Sequence, residues 1–248
     1  MENNLPILYE DADVVVVNKP AGLIVHSDGR TKESSVAEWA LEQYPALREV
    51  GEPWTSPQGE TIVRPGIVHR LDRGTSGVLI LAKSSEAHAF LKKQFEDRST
   101  EKKYRALVYG HPREGAGVIE AEIVRIRSIP PRWGVARTDQ MRRRRAAITE
   151  WQVLSRGTDP LTGEKASYLE ASPKTGRTHQ IRVHLKHLGY PVICDPLYAK
   201  GRQCLFGFAR PALHAHTLSI TLPSGARSTF EAPLPQDFES ALAQFSPV

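Results

Sequence analysis

From Lys103 onward the chain divides into short stretches of partly alternating polar and apolar residues: Lys103 to Tyr109, Val118 to Val124, Ala147 to Leu154 and Ala166 to Ala171, with turn residues between them. Leu213 to Leu222, a Pro-Ser-Gly turn and Arg227 to Ala232 add a hairpin. Consecutive strands joined by short turns must pair antiparallel, because a parallel crossover needs a dozen or more residues. Two unbroken apolar runs near the start, Asp13 to Asn18 and Gly77 to Lys83, read as buried strands. Helices are few. Ser35 opens a capping box with Glu38, ahead of Val36, Trp39, Ala40 and Tyr44 at helical spacing. Ser84 or Ser85 can cap a helix with Ala87, Phe90, Leu91 and Phe95 along one stripe. A third helix is expected from His179 to Leu188, carrying Ile181, Leu185 and Leu188 on one side and ended by Gly189 and Pro191. The expected class is α+β, a mostly antiparallel mixed sheet with flanking helices and loops. No repeat, low-complexity tract or linker interrupts it, so residues 1–248 are read as one domain.

Several broad classes are disfavoured. The start, MENNLPILYE, lacks the charged and apolar regions of a secretory signal, and the longest apolar runs cannot span a bilayer. A cytoplasmic protein without membrane association is expected, and a monomer, since nothing calls for a protein partner. Cys194 and Cys204 are too few for a disulfide framework and match no zinc or redox spacing, so both are expected as reduced thiols. No phosphate loop, dinucleotide turn, nucleophile elbow or zinc-protease helix occurs. The spacings of His179, His184, His187, His214 and His216 match no standard ligand set. Neither a metal nor a cofactor is therefore expected. Charge points to a partner: residues 125 to 145 hold eight arginines against Asp139 alone, +7 in a chain whose net charge is +5. So concentrated a positive field suits a polyanion such as nucleic acid, although a solvated loop would read the same on charge alone.

Four segments place charged residues among small ones at the mouths of expected elements. His69-Arg70-Leu71-Asp72-Arg73-Gly74-Thr75-Ser76-Gly77 leads into the strand at Val78, and its glycines and hydroxyls should hold Asp72 rigidly. Alone, an Asp in such a loop is usually a turn residue. In Lys102-Lys103-Tyr104-Arg105-Ala106, Tyr104 offers an aromatic face and a phenol, or is simply a strand tyrosine. Lys174 to His184, KTGRTHQIRVH, runs into the third helix, where Arg182 points about one hundred degrees from Ile181 and can reach a neighbouring pocket. The last segment, Gly189 to Tyr198 followed by Arg210 to Ala215, supplies apolar wall.

Together these segments resemble the RluA family of RNA pseudouridine synthases, with its HRLD-x-x-TSG, K-x-Y-x-A, TGRTHQIR-x-H and LHA motifs in order, preceded by N-K-P-x-G-x-x-x-H at Asn18 to His26. The resemblance covers roughly residues 8 to 233. It implies the pseudouridine synthase catalytic fold, no cofactor, and ribosomal or transfer RNA as substrate. It implies that Asp72 is the nucleophile, that Tyr104 stacks on the target uracil, that Arg182 accompanies the catalytic aspartate and that Arg70 helps displace the target base. The remaining motif members His69, Thr75, Arg177, His179, Gln180 and Leu213 are expected to line the substrate site. Two departures stand out. The chain has Cys194-Asp195 where the family usually has Gly-Asp, and the small RNA-binding domain that many relatives carry before the catalytic one is not expected here. Substrate grip is then expected from the arginines of residues 125 to 145.

The chemistry agrees with the residue types. Moving uracil from a nitrogen to a carbon link needs no redox or phosphate energy; it needs a placed anion, and aspartate is ionised at neutral pH. A stacked uridine must first be extruded, and held by stacking and edge hydrogen bonds. Two rival readings are a silent RNA-binding protein of the same fold and a glycoside-type hydrolase. The hydrolase would want a second catalytic carboxylate, for which only Asp195 offers itself.

Overall fold

The structure, a computed structural model, describes residues 5–27, 33–55, 59, 61–126, 128, 132–136 and 144–247. In chain order its elements are β1 (Ile7–Glu10), β2 (Val14–Lys19), α1 (Val36–Gln43), β3 (Trp54–Thr55), β4 (Thr61–Ile62), β5 (Ser76–Ala82), α2 (Ser85–Asp97), β6 (Glu101–Tyr109), β7 (Ala116–Glu120), β8 (Ile123–Ile126), β9 (Arg132–Val135), β10 (Ile148–Thr158), β11 (Lys165–Pro173), α3 (Gln180–His187), β12 (Leu213–Thr221), β13 (Arg227–Glu231), α4 (Gln236–Ala243) and β14 (Ser246–Pro247). The class is α+β, with mostly antiparallel strands and few helices. Two compact units are formed, Met1–Glu101 with Ala215–Pro233, and Lys102–His214 with Leu234–Val248.

In the first unit β1 pairs with β2, β2 with β5, and β12 with β13, each antiparallel, and β5 lies beside β12. Unbroken apolar sequence buries both faces of β2 and β5: Val14 to Val17 and Leu79 to Ala82 have no exposed surface. On one side Val14, Val16, Val78 and Ile80 pack with Ala87 and Leu91 of α2 and with Leu218, Ile220 and Phe230 of the β12–β13 hairpin. Phe90, at the edge of the α2 stripe, stays 41% exposed. The Ser35 hydroxyl accepts the Glu38 N–H at 3.2 Å while the Glu38 carboxylate accepts the Ser35 N–H at 2.9 Å, so the capping box forms as its spacing requires.

In the second unit β11 pairs antiparallel with β6 and β10, and β10 also pairs with β7 and β14. Val118 to Val124, expected as one strand, is two: β7 ends at Glu120 against β10, and β8 pairs instead with β9. Ala121 draws the chain out of the ladder, its N–H donating to the Ala147 carbonyl and its own carbonyl held by His184. Ile181 and Leu185 of α3 enter a core with Leu107, Leu169 and Phe206, which α4 completes with Phe238 and Ala241. Among the described residues no helix is long and apolar enough to cross a membrane.

Cys194 and Cys204, expected as free thiols, form a disulfide across ten residues with their Cα atoms 4.6 Å apart. Motif spacing misses this because tight turns double the chain back. The Asp195 N–H donates to the Val192 carbonyl, the Ala199 N–H to that of Asp195 and the Arg202 N–H to that of Ala199, returning Cys204 to the start of the loop.

Candidate active site

Within the first unit, the segment before β5 is tied at several atoms. The Thr75 N–H donates to the Asp72 carbonyl at 3.0 Å, closing a turn, and Leu71 and Thr75 are buried while the Asp72 side chain is half-buried. The next carbonyl, that of Arg73, accepts the Gly22 N–H at 2.8 Å and the Lys19 ammonium at 3.4 Å. Lys19 is wholly buried and also donates to the Pro20 and Leu23 carbonyls at 2.9 and 2.7 Å. Gly77, with φ of +118°, admits no side chain, since a Cβ would stand 2.0 Å from the Ala215 carbonyl oxygen. His69 braces the turn, accepting the Ile80 N–H through Nε2 at 3.1 Å and stacking on Phe95 with centroids 4.5 Å apart. Arg70 is exposed, its Nη1 3.4 Å from His26 Nε2.

Within the second unit, Tyr104 stands half-buried on β6, opposite Ala171 of β11 and packed on the core that contains Ala106 and Leu107. The entrance to α3 is organised by Gln180, which is 4% exposed. Its carbonyl oxygen accepts from the Thr175 hydroxyl at 2.6 Å and the Arg177 N–H at 3.0 Å; its amide nitrogen donates to the Ile148 carbonyl and the Thr149 hydroxyl. Gln180 is thus the brace of the Arg177 loop. Arg177 itself donates through Nε to the Ala146 carbonyl.

Arg182 is 5% exposed, and Nε and Nη2 grip the Asp195 carboxylate at 2.6 and 2.9 Å. That fork uses two of the five N–H donors of the guanidinium. Asp195 Oδ1 also accepts the Leu197 and Tyr198 N–H groups, so one carboxylate fixes both the helix cation and the following turn. Tyr198 lies 5.1 Å beneath the Arg182 guanidinium, its hydroxyl 3.0 Å from His179 Nδ1 and accepting the Trp133 N–H. Leu213 is core, 3% exposed.

The expected residues therefore gather as two sets: His69, Arg70, Asp72 and Thr75 on one turn of the first unit, and Arg177, His179, Gln180 and Arg182 at the start of α3 in the second. Lys19, Thr149, Asp195 and Tyr198 were not foreseen in these roles. Lys19 lay inside the N-K-P segment, where its chemistry could have drawn notice, but Thr149 and Tyr198 act through partners distant in sequence, and Asp195, although it also caps its own turn, grips Arg182 thirteen positions away.

Of the arginine-rich stretch, Arg127, Arg137, Arg142 and Arg143 lie outside the described residues. Arg125 and Arg132 are exposed on the β8–β9 hairpin, and Arg144 meets Glu122 at 3.5 Å. The hairpin is rooted on α3 through Ile123, Trp133 and Val135, which cluster with Val183 and Tyr198. Among the described residues no group of three His, Cys, Asp or Glu stands close enough to hold a metal ion.

Comparison with known proteins gives concordant matches. Residues 13–187 match the RNA pseudouridylate synthase family. An uncharacterised RNA pseudouridine synthase of Synechocystis sp. is 36% identical over 96% of this chain and 68% of its own length. The ribosomal large subunit pseudouridine synthase D of Zymomonas mobilis is 36% identical over 95% of this chain and 71% of its own. Among solved structures, human RNA pseudouridylate synthase domain containing 1 superposes with a TM-score of 0.76 at 26% identity, covering 99% of this chain and 89% of that one.

Proposed function

The chain belongs to the RNA pseudouridylate synthase family, and from that premise we propose that it isomerises uridine in ribosomal RNA, with Asp72 as nucleophile. The observation that carries the assignment of Asp72 is its turn, in which the Asp72 and Arg73 carbonyls are both claimed by backbone or buried ammonium donors. Such anchoring supports a carboxylate presented in one fixed orientation, which is what attack on a single bond needs. Ribosomal RNA is favoured by relatives named for the large ribosomal subunit. The enzyme would work as a monomer in the cytoplasm, as one domain.

Isomerisation breaks the nitrogen–ribose bond, turns the uracil in place and joins its carbon 5 to the ribose; carbon 5 then gives up its proton to a base or water and the freed nitrogen gains one, so the reaction balances with no co-reactant. Asp72 supplies the nucleophile. Tyr104 is assigned the face on which the extruded uracil stacks, and Arg70 the planar group that fills the vacated stack. Arg182 is assigned the cation that accompanies the nucleophile; its fork on Asp195 holds the guanidinium in one plane. His69, Thr75, Arg177, His179, Gln180 and Leu213 shape the surroundings, several of them by bracing the chain.

Mapping pseudouridine in total RNA with and without the gene tests the reading, and a ribosomal position that loses the modification is the expected result. In the purified enzyme Asp72→Asn should lower the rate about 10³-fold or more, with RNA affinity and unfolding midpoint near the parent's. Full turnover by that variant rejects Asp72.

A further inference from the structure

Tyr198 stands where three parts of the second unit meet, and it is 4% exposed. Its ring carries the Arg182 guanidinium, whose Cζ lies 5.1 Å from the centroid. Its backbone N–H donates at 3.0 Å to Asp195 Oδ1, the oxygen that also accepts Arg182 Nη2 at 2.9 Å. Asp195 thus fixes the guanidinium along its fork, and the ring supports it from a second direction. The hydroxyl at the far end of the ring is held in turn. It accepts the Trp133 N–H of β9 at 3.1 Å and lies 3.0 Å from Nδ1 of His179, the left-handed residue that opens α3 without a cap from its own side chain. Trp133 pairs with Arg125 of β8 in a two-stranded sheet of four-residue strands, and Arg145 lies over the Trp133 ring with Cζ 5.8 Å from its centroid. One phenol therefore spans from a hairpin that bears the exposed Arg125 and Arg132 to the helix that bears Arg182. A two-stranded hairpin is marginally stable by itself, so what binds its surface decides how firmly its backbone is held.

We infer that Tyr198 is a positioning residue for Arg182, through which RNA held on the β8–β9 hairpin quickens isomerisation as well as binding. The inference rests on the proposed function, which places Arg182 beside the nucleophile, and deepens it. Phosphates drawn to Arg125 and Arg132 restrain the hairpin. The Trp133 N–H, fixed by its strand, then holds the phenol oxygen, and the ring holds the guanidinium. A cation stabilises developing charge only from a fixed place, and a displacement of about 1 Å can cost up to about 10²-fold in rate. The hydroxyl is what joins hairpin to helix: phenylalanine keeps the aromatic face beneath Arg182 but loses that link.

The probe is an unmodified transcript of large-subunit ribosomal RNA that contains the mapped uridine. Kd and the single-turnover rate at saturating RNA are measured for the parent, Tyr198→Phe, the pair Arg125→Gln with Arg132→Gln, and all three together. Tyr198→Phe should slow the saturated rate about tenfold while Kd stays within about twofold of the parent's. The arginine pair should raise Kd and slow the saturated rate about threefold in the parent background. In the Tyr198→Phe background the same pair should raise Kd as before and leave the rate unchanged, because the link is already cut. A hydroxyl that served packing alone would lower the unfolding midpoint and leave the rate, read well below both midpoints, at the parental value. That result overturns the inference, as do rate effects that simply multiply in the triple variant. Arg182→Lys is measured alongside and should be slow. Parental turnover by Arg182→Lys would sink the role proposed for Arg182 and this inference with it, whereas a slow Arg182→Lys beside a parental Tyr198→Phe overturns this inference alone.

Discussion

Cys194 sits at φ of +58°, a left-handed conformation that a side chain with a Cβ adopts at a cost of roughly 1 kcal/mol or more. The disulfide to Cys204 offsets that cost: closing a loop of ten residues restrains the unfolded chain by about 2 to 3 kcal/mol. The two effects can be separated. Cys204→Ser should lower stability by up to about 2 to 3 kcal/mol, and adding Cys194→Gly in that background should restore about 1 kcal/mol, since glycine accepts the backbone without strain. Chemical denaturation of the parent, the single and the double variant measures both terms. A double variant no more stable than the single would show that the backbone there carries no strain. This residue also marks where sequence reading stopped. The departure from Gly-Asp was visible at Cys194, but that a second cysteine ten residues on would close the loop depends on three successive turns that no spacing rule contains.

Helix α3 is only eight residues long, and its N-cap, His179, is left-handed with no side-chain cap, so its fixity comes from buried polar bonds rather than local propensity. Thr149 joins two of them, accepting from Gln180 and meeting His184 Nδ1 at 2.9 Å, while His184 Nε2 faces the Ala121 carbonyl at 3.1 Å. With the Thr149 hydroxyl donating to Nδ1 and Nε2–H donating to the carbonyl, His184 is satisfied as the neutral imidazole. Burial, chiefly, and the nearby His187 charge hold its pKa below the ordinary 6.5, against the opposing pull of the Ala121 bond. The unfolded chain therefore binds a proton before the folded one as pH falls. The stability contributed is complete above about 6.5 and is lost below it, down to the depressed folded value. Urea midpoints between pH 7.5 and 5 should decline for the parent. His184→Gln should be less stable by about 1 to 3 kcal/mol at pH 7.5 and decline less steeply. Parallel curves would remove His184 as the titrating group. The apolar side of this helix was legible, since Ile181 and Leu185 recur at helical spacing and Gly189 and Pro191 end the pattern. Its polar side was not: the Asp195 that grips Arg182 lies in a turn beyond the helix, and His184 joins Ala121 across 63 positions.

Charge is the property of the whole molecule that sequence disclosed most directly, because summing it requires no fold. Residues 125 to 145 carry +7 in a chain of +5, and the structure adds what the sum could not say, that the described part of this stretch is rooted by Ile123 and Trp133 beside Val183 of α3 and Tyr198 of the turn that follows Asp195. Arg125 and Arg132 are exposed there, and the ion pair of Arg144 with Glu122 at 3.5 Å is between groups open to solvent and is worth little. Exposed cations on one hairpin suit a polyanion. Replacing Arg142 to Arg145 with Gln should therefore weaken RNA binding uniformly across sequences and reduce the magnitude of the salt slope by at most about 3, four charges at roughly 0.7 each for single-stranded contacts. Folding should change little at the described Arg144 and Arg145, because exposed charges seldom matter to it. A slope unchanged by the fourfold replacement would leave this stretch as a solvated loop and place the grip on RNA entirely in the loops around Asp72 and α3.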